Sequence, residues 1–549
     1  MKATLFGLLF TISIITFFSC KNEPALGSGE NATNVIDTAD LDRHLTALAS
    51  DEFLGRKPFT EGETKTLAYL ESELKKLGLE PGNNGSYYQD VPLVEITPTP
   101  DSVMQVKGKN GSFNLKLRDD YVLYTQREQA DIQIKNAELV FCGYGVIAPE
   151  VGWNDYAGTD MKGKIAVVLV NDPDFGGGDS TLFKGNTMTY FGRWTYKFEE
   201  AARQGAEGVL IIHETRAAGY PWLVPQGSLT PRLTLQTQNK GMNSTAIQGW
   251  MTLTAAAQLL KAANLKGDDL FAKAKQKGFK PIPMGLTVST GLKNTFKTSN
   301  SKNVVAMLRG TERPDETIIY STHWDHLGVG AVMDGDSIYN GAVDNASGTA
   351  AQLAIAKAFT QLKEKPERSV VFLFVTAEEQ GLLGSEFYSK KPIFPINKTV
   401  ANINMDALNP NGRMKDLTVV GSGQSDLEDY AKAEAEKQGR YVQPEQEPEK
   451  GFYFRSDHFN FAKVGIPALY ASGQYDHWDK GKEYGKAKSE EFEANSYHQP
   501  SDEYNAEAWD WSGIAQDATL FYNIGLKLSN ESTFPDWKVG SEFKGIRKR

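Results

Sequence analysis

Three short apolar runs in the second half of the chain each end on a residue able to bind a metal ion or move a proton. Thr317–Thr322 runs into His323-Trp324-Asp325, Ser369–Thr376 into Ala377-Glu378-Glu379, and Val400–Met405 into Asp406. If the three runs are neighbouring strands, one sheet edge receives a histidine and several carboxylates together. A glycine-punctuated turn, Asn340 to Gly348, adds Asp344 just before a helical stretch. Imidazole nitrogen with carboxylate oxygen is the donor set of zinc and similar divalent ions; calcium or magnesium would call for oxygen donors almost alone. Five of the seven histidines, His323, His326, His458, His477 and His498, follow residue 320. A single histidine of this kind is usually a hydrogen-bonded polar residue, so the weight lies on the joint occurrence of the acids and imidazoles, in order, at strand ends.

The elements that must position these groups are legible in the hydrophobic pattern. Val304–Leu308, Thr317–Thr322, Ser369–Thr376, Val400–Met405, Leu417–Val420 and Pro467–Ala471 are short apolar runs, most of them rich in β-branched residues. Helical stretches such as Gly348–Leu362 lie between them, with Ala350, Leu353, Ala354, Ala358 and Leu362 on one face. This alternation predicts an α/β domain with a mixed, largely parallel central sheet flanked by helices, whose chemistry belongs at the carboxyl ends of its strands. Upstream, Leu67, Leu70, Leu74 and Leu77 recur at helical spacing within Glu63–Leu77. Glu138–Ile147, Lys164–Asn171 and Gly208–Ile212 read as strands, and Tyr196–Gln204 as a helix.

At 549 residues the chain exceeds what one hydrophobic core usually supports. A formal charge of −10 argues against a nucleic-acid partner, which requires a basic field. The N-terminus has Lys2 followed by an apolar run from Leu5 to Phe18, short for a bilayer span but suited to the core of an export signal. The run stops at Ser19-Cys20 and turns polar. A small residue and then Cys at this place resembles the lipobox of bacterial lipoproteins, which implies acylation at Cys20 and a lipid anchor as the only membrane attachment. The expected location is a bacterial membrane, facing the periplasm or the cell exterior. The other cysteine, Cys142, has no partner for a disulfide in the mature chain.

The ordered pieces Thr322-His323-Trp324-Asp325-His326, Gly341 to Gly348 with Asp344 inside, Ala377 to Ser385, Asn404-Met405-Asp406 and Tyr497-His498-Gln499-Pro500-Ser501-Asp502 resemble the zinc exopeptidases of the M28 type. Arg455-Ser456-Asp457-His458 also looks like the family. The resemblance implies the phosphorylase/hydrolase-like fold of zinc exopeptidases and two zinc ions per chain. Asp344 would bridge the ions; His323 and Asp406 would complete one ligand set, Glu379 and His498 the other. Glu378 would be the general base, Asp325 would orient His323, and His458 and His326 would be pocket candidates. It also implies a cis peptide between Asp344 and Asn345, and peptide substrates attacked from the N-terminus. The middle of the chain, with Trp153-Asn154-Asp155-Tyr156 and Lys162 to Val168, resembles a protease-associated domain.

These readings divide the chain into a signal peptide at 1–19, a tether at 20–35 and the N-terminal part of the peptidase at 36–130. A β-rich protease-associated insertion at 131–280, the catalytic region at 281–535 and a polar tail at 536–549 complete it. Three alternatives remain open: a carboxypeptidase-like relative, a single-metal cyclase, and a catalytically inactive surface receptor. The full set of acids at 344, 379 and 406 weighs against the last two. Neither a Gly-x-Ser-x-Gly elbow nor a His-Glu-x-x-His helix is present, which disfavours serine hydrolases and the common one-zinc proteases.

Overall fold

The computed structural model describes residues 35–177 and 180–547; Cys20 and the signal segment lie outside them. The strands Arg313–His323, Arg368–Val375, Thr399–Asn404 and Ala468–Ser472 run parallel, in the order 368–375, 313–323, 399–404, 468–472. Residues 304–308 pair antiparallel on one flank, and Asp416–Val419 pairs antiparallel on the other, followed by Tyr441–Pro444. The result is the mixed, largely parallel α/β sheet expected. Its central strands are buried along their whole length, as sheets covered on both faces require. Helices Gly348–Thr360 and Ser512–Asn530 pack on it, and Tyr320 stacks on Phe372 beneath them.

Two large hydrophobic cores divide the molecule. One draws on residues 36–87 and 304–528, so the N-terminal helices Thr38–Leu48 and Glu61–Lys76 belong with the sheet that carries the acids. Thr60 caps the second helix by accepting the Gly62 amide, and Leu67, Leu70 and Leu74 form its buried face. The other core runs from Met104 to Leu292 and surrounds the parallel strands at 139–141, 165–169, 208–213 and 247–252. It therefore begins earlier and ends later than the expected limits of 131 and 280. A long antiparallel ribbon, Tyr88–Pro100 against 292–304, joins the two bodies. The expected polar tail differs too: Trp537 and Phe543 are buried against Tyr453 and Phe459, so the stretch after 536 closes a core. The middle strand expected at Glu138–Ile147 spans Asp131–Phe141 instead, because the chain turns through positive φ at Gly143 and Gly145. Cys142 is buried and free, and among the described residues no helix is long and apolar enough to cross a membrane.

Candidate active site and metal centre

Registry brings the strand ends together. His323 lies opposite Val375, and Ser321 opposite Asn404, so His323, the glutamates after Val375 and Asp406 leave the same sheet edge. Positive φ at Ala377 and Ala407 turns the chain sharply on either side of these acids. Asp344 enters from the irregular turn Ala342–Ser347, where the Asp344–Asn345 peptide is cis. Gly341 before it has φ +57, and a Cβ there would fall 2.2 Å from the Asp344 carbonyl oxygen and 2.5 Å from the His326 ring. Only glycine fits this approach. Asp502 holds the turn by accepting the amides of Val343 at 2.9 Å and Asp344 at 3.0 Å.

The side chains meet in a buried cluster. His323 Nε2 is 3.3 Å from Asp344 Oδ1 and 3.1 Å from Asp406 Oδ1. His498 Nε2 is 3.3 Å from Asp344 Oδ2 and 3.0 Å from Glu379 Oε2. Each oxygen of Asp344 thus faces a different histidine. Glu378 Oε2 stands back, 3.9 Å from His323 Nε2. Ser456 Oγ donates to the second oxygen of Asp406 at 2.5 Å, and Tyr497 stacks on the half-exposed His498 ring at 3.9 Å.

Charge in the cluster is unbalanced. Burial opposes charge on His323, yet the carboxylates of Glu378, Asp406 and Asp344 hold it well above the ordinary imidazole range. His498 is likewise pushed up to about 11: burial opposes the charge, and Glu379 and Asp344 outweigh it. Burial together with Asp406, Glu379 and Asp457 raises Glu378 well above its usual range despite the opposing pull of His323. Such a set calls for added positive charge. The donor chemistry fits zinc, and so does the spacing. Donors about 2.0–2.1 Å from an ion lie about 3.3 Å apart around a tetrahedral site, close to the four separations of 3.0–3.3 Å found here.

All five expected metal ligands come together, with Glu378 beside them. Asp325 departs from its expected place. His323 Nδ1 meets the Asp325 carbonyl oxygen at 3.1 Å, while the nearer carboxylate oxygen stays 3.9 Å away and accepts the Glu378 amide at 3.1 Å. The Asp325 backbone faces the histidine; its carboxylate fixes the glutamate loop. His326 is no bare pocket wall either, since its Nδ1 lies 2.6 Å from Glu379 Oε1. His458 is buried between Tyr453 and Tyr470. His477 is a loop brace whose Nδ1 accepts the amides of Asp479 and Lys480. Trp324 is core, its indole donating to the Lys302 carbonyl.

Sequence reasoning missed Arg56. Its fully buried guanidinium donates to the carbonyls of Trp324 at 2.9 Å, Leu48 at 2.6 Å, Asn340 at 2.5 Å and Gly341 at 2.9 Å. It ties the His323 strand end to the turn that carries Asp344. Ser456 and Asp502 lay within stretches already singled out, but neither residue type announced its partner.

Residues 303–522 match Peptidase family M28. Aminopeptidase NAALADL1 of Rattus norvegicus is 34% identical over 137 residues, 24% of this chain and 17% of the relative. A glutamate carboxypeptidase 2 homolog of Caenorhabditis elegans is 33% identical over 132 residues, 23% of this chain and 16% of the relative. A probable zinc metalloprotease of Pyricularia oryzae is 40% identical over 88 residues, 16% of this chain and 17% of the relative. The matched stretch thus spans only about a sixth of each of these relatives. Among solved structures, an aminopeptidase from Aneurinibacillus sp. strain AM-1 aligns over 92% of this chain and 96% of its own, with 19% identity and a TM-score of 0.47. The stretch that carries every residue of the cluster, from His323 to His498, is a domain of peptidase family M28.

Proposed function

We propose that this chain is a two-zinc exopeptidase, specifically an aminopeptidase that releases N-terminal residues from peptides. The observation that carries the reading is Asp344, whose two oxygens each lie 3.3 Å from a different histidine. That arrangement suits a carboxylate shared between two ions. His323, Asp344 and Asp406 would hold one ion; Asp344, Glu379 and His498 would hold the other. Zinc bound there would polarise the scissile carbonyl and acidify water.

The remaining work falls to the chain's own groups. Glu378 is the proton carrier: its carboxylate takes a proton from the attacking water, and the carboxylic acid so formed returns it to the departing amine. A carboxyl held above its usual range suits that exchange near neutral pH. Asp325 positions it by accepting its amide, and Ser456 fixes the rotamer of Asp406. His326 holds the far oxygen of Glu379 and leaves the near one facing His498.

Elemental analysis of the purified protein should give two zinc ions per chain, with Asp344→Ala losing both. A wild-type count of one, unchanged by that substitution, would remove the bridge from the proposal. Free-amine peptides should be cleaved and their N-acetylated counterparts refused. The opposite preference would favour the carboxypeptidase-like reading, and no turnover of either would favour a binding protein. The apolar run ending at Cys20 further supports export and lipid attachment. Metabolic lipid labelling that disappears in Cys20→Ala is the measurement for it.

A further inference from the structure

The loop that carries Glu378 and Glu379 is closed at its neck by one side chain from a distant part of the sequence. Residues 304–308 pair antiparallel with 370–374, and this ladder ends at Val304 opposite Phe374. Asn303 comes next and is completely buried. Its Oδ1 accepts the Thr376 amide at 3.1 Å, and its Nδ2 donates to the Gly384 carbonyl at 2.9 Å. One carboxamide thus grips both ends of the loop 376–384, continuing with its side chain the ladder that the backbone has left. Gly384 is fitted to this grip: a Cβ there would lie 2.5 Å from Asn303 Oδ1 and 2.3 Å from the Thr376 carbonyl oxygen.

The grip is itself braced by the ribbon that joins the two bodies. Asn303 lies opposite Gln89 in that ribbon, and its Nδ2 also donates to Gln89 Oε1 at 3.0 Å. Gln89 Nε2 in turn donates to the Lys391 carbonyl at 2.8 Å, just past the helix Leu383–Lys390 that follows the loop. Ser301, on the same strand as Asn303, gives its proton to Glu63 Oε1 at 2.9 Å. The Thr376 hydroxyl therefore donates to Ser301 Oγ, 2.6 Å away.

A short carboxamide meets the demand at 303. The side chain there accepts from one amide and donates to two oxygens; a carboxylate has no proton to donate, and a hydroxyl has only one. Inside the loop the Glu378 carbonyl accepts the amides of Gly381 and Leu382, both at 2.8 Å, and Leu383 donates to the Ala377 carbonyl at 3.1 Å. The loop is a tightly bonded unit, so a shift at its neck moves both glutamates together. Glu379, set 2.6 Å from His326 and 3.0 Å from His498, tolerates little such movement.

We propose that Asn303 is a positioning residue for Glu378 and Glu379, acting through the neck of their loop, with Gln89 and Ser301 as its supports. The assignment rests on the peptidase reading above for what the two glutamates do. Asn303→Asp keeps the acceptor for Thr376 and loses both donations. Zinc-loaded Asn303→Asp should lose on the order of 10- to 100-fold in kcat on Ala-Ala-Ala with KM within about threefold, since misplacing a reacting group by about 1 Å costs on the order of 10²-fold. Gln89→Leu leaves the loop's own bonds intact and should lose on the order of 3- to 10-fold with the same split. Cobalt loaded in place of zinc reports ligand geometry, and its visible absorption should shift in both variants. Tyr121→Phe is the control for lost stability alone, because it removes a buried 2.8 Å hydrogen bond to the Asp101 carbonyl in the other body. Its kcat and cobalt spectrum should match wild type.

Wild-type kcat and cobalt spectrum in folded Asn303→Asp and Gln89→Leu would overturn the assignment, as would equal changes in Tyr121→Phe. If Asn303→Asp does not fold, Gln89→Leu decides by the same criteria. If the wild type cleaves no peptide, the peptidase reading fails separately and the cobalt spectra decide the clamp. If cobalt does not bind either, hydrogen exchange at the amides of 381–384 decides it. Exchange faster on the order of 10-fold in Gln89→Leu than in Tyr121→Phe supports the clamp, and equal exchange refutes it.

Discussion

Arg56 offers the sharpest test of how the site is held. Its guanidinium is buried among backbone carbonyls with no carboxylate in direct contact, and burial pushes it down to about 10 while Asp502, Asp344, Asp325 and Glu379 support its charge from a distance. Four hydrogen bonds of 2.5–2.9 Å join three separate segments: the end of the first helix, the end of the His323 strand and the turn before Asp344. A hydrogen bond to a charged donor contributes about 1.5–3 kcal/mol, so four sum naively to about 6–12 kcal/mol. Part of that is offset by the cost of burying the cation, and the freed carbonyls recover some partners on relaxation. Arg56→Met, which fills the volume and donates nothing, should therefore lose about 4 kcal/mol, a large fraction of a typical domain's 5–15 kcal/mol. Denaturant unfolding reads the loss as a lower midpoint at unchanged slope.

The same substitution should loosen the metal centre, because Asn340 and Gly341 lead directly into the turn that presents Asp344. Zinc retained after dialysis against a weak chelator should fall below wild type even under conditions where Arg56→Met remains folded. Stability within about 1 kcal/mol of wild type, or unchanged zinc retention in the folded variant, would refute the claim that this cation staples the site.

Glu378→Gln should keep both zinc ions and bind substrate yet lose on the order of 10²–10⁴ in kcat, whereas Glu379→Gln should lose metal; equal metal loss in the two variants contradicts the division of roles. His44 is buried and brought down to about 4 by burial and then by Arg43, which donates to its Nε2 at 3.0 Å, leaving Nδ1–H to face Tyr69 at 2.8 Å. Its folded pKa lies below the unfolded 6.5, so the stability it contributes is present above pH 6.5 and lost as pH falls toward 4. The loss amounts to about 3 kcal/mol. His44→Gln should flatten that part of the acid-stability curve, and superimposable curves would rule the linkage out.

The sheet and its chemistry were legible because both obey short-range rules. Buried parallel strands must be continuous apolar runs, and a charged residue directly after such a run marks the strand's exit. The 27-residue strand Ile282–Leu308 was visible only at its last five residues. Its middle, Asn294 to Lys302, is mostly polar and exposed and is held in register by Tyr88–Pro100, a partner about two hundred residues away. Arg56 was silent for a similar reason. Its function is to satisfy carbonyls at 324, 340 and 341, and backbone acceptors carry no residue-type signal. The role expected of Asp325 was half right: spacing places it beside His323, but spacing cannot say whether backbone or carboxylate meets the ring.

The adjacent glutamates show how one residue type acquires two chemistries. Positive φ at Ala377 ends the strand abruptly, so Glu378 and Glu379 leave the backbone toward different partners. Both oxygens of Glu379 are engaged, one 2.6 Å from His326 and the other 3.0 Å from His498. Burial and Asp344 push its carboxyl up, yet the two imidazoles prevail and bring it down to about 2, so it remains an anion. Glu378 has no such pair: its nearest imidazole is 3.9 Å away, and burial with Asp406, Glu379 and Asp457 drives it the other way. A permanent anion is what a metal ligand must be, and a carboxyl that readily carries a proton is what a general acid–base group must be. Neighbours set the difference: His326 and His498 hold Glu379 as an anion, while Glu378 has only the more distant His323 against the carboxylates of Asp406, Glu379 and Asp457. Exchanging the two roles would require moving those imidazoles, because the glutamates themselves are chemically identical.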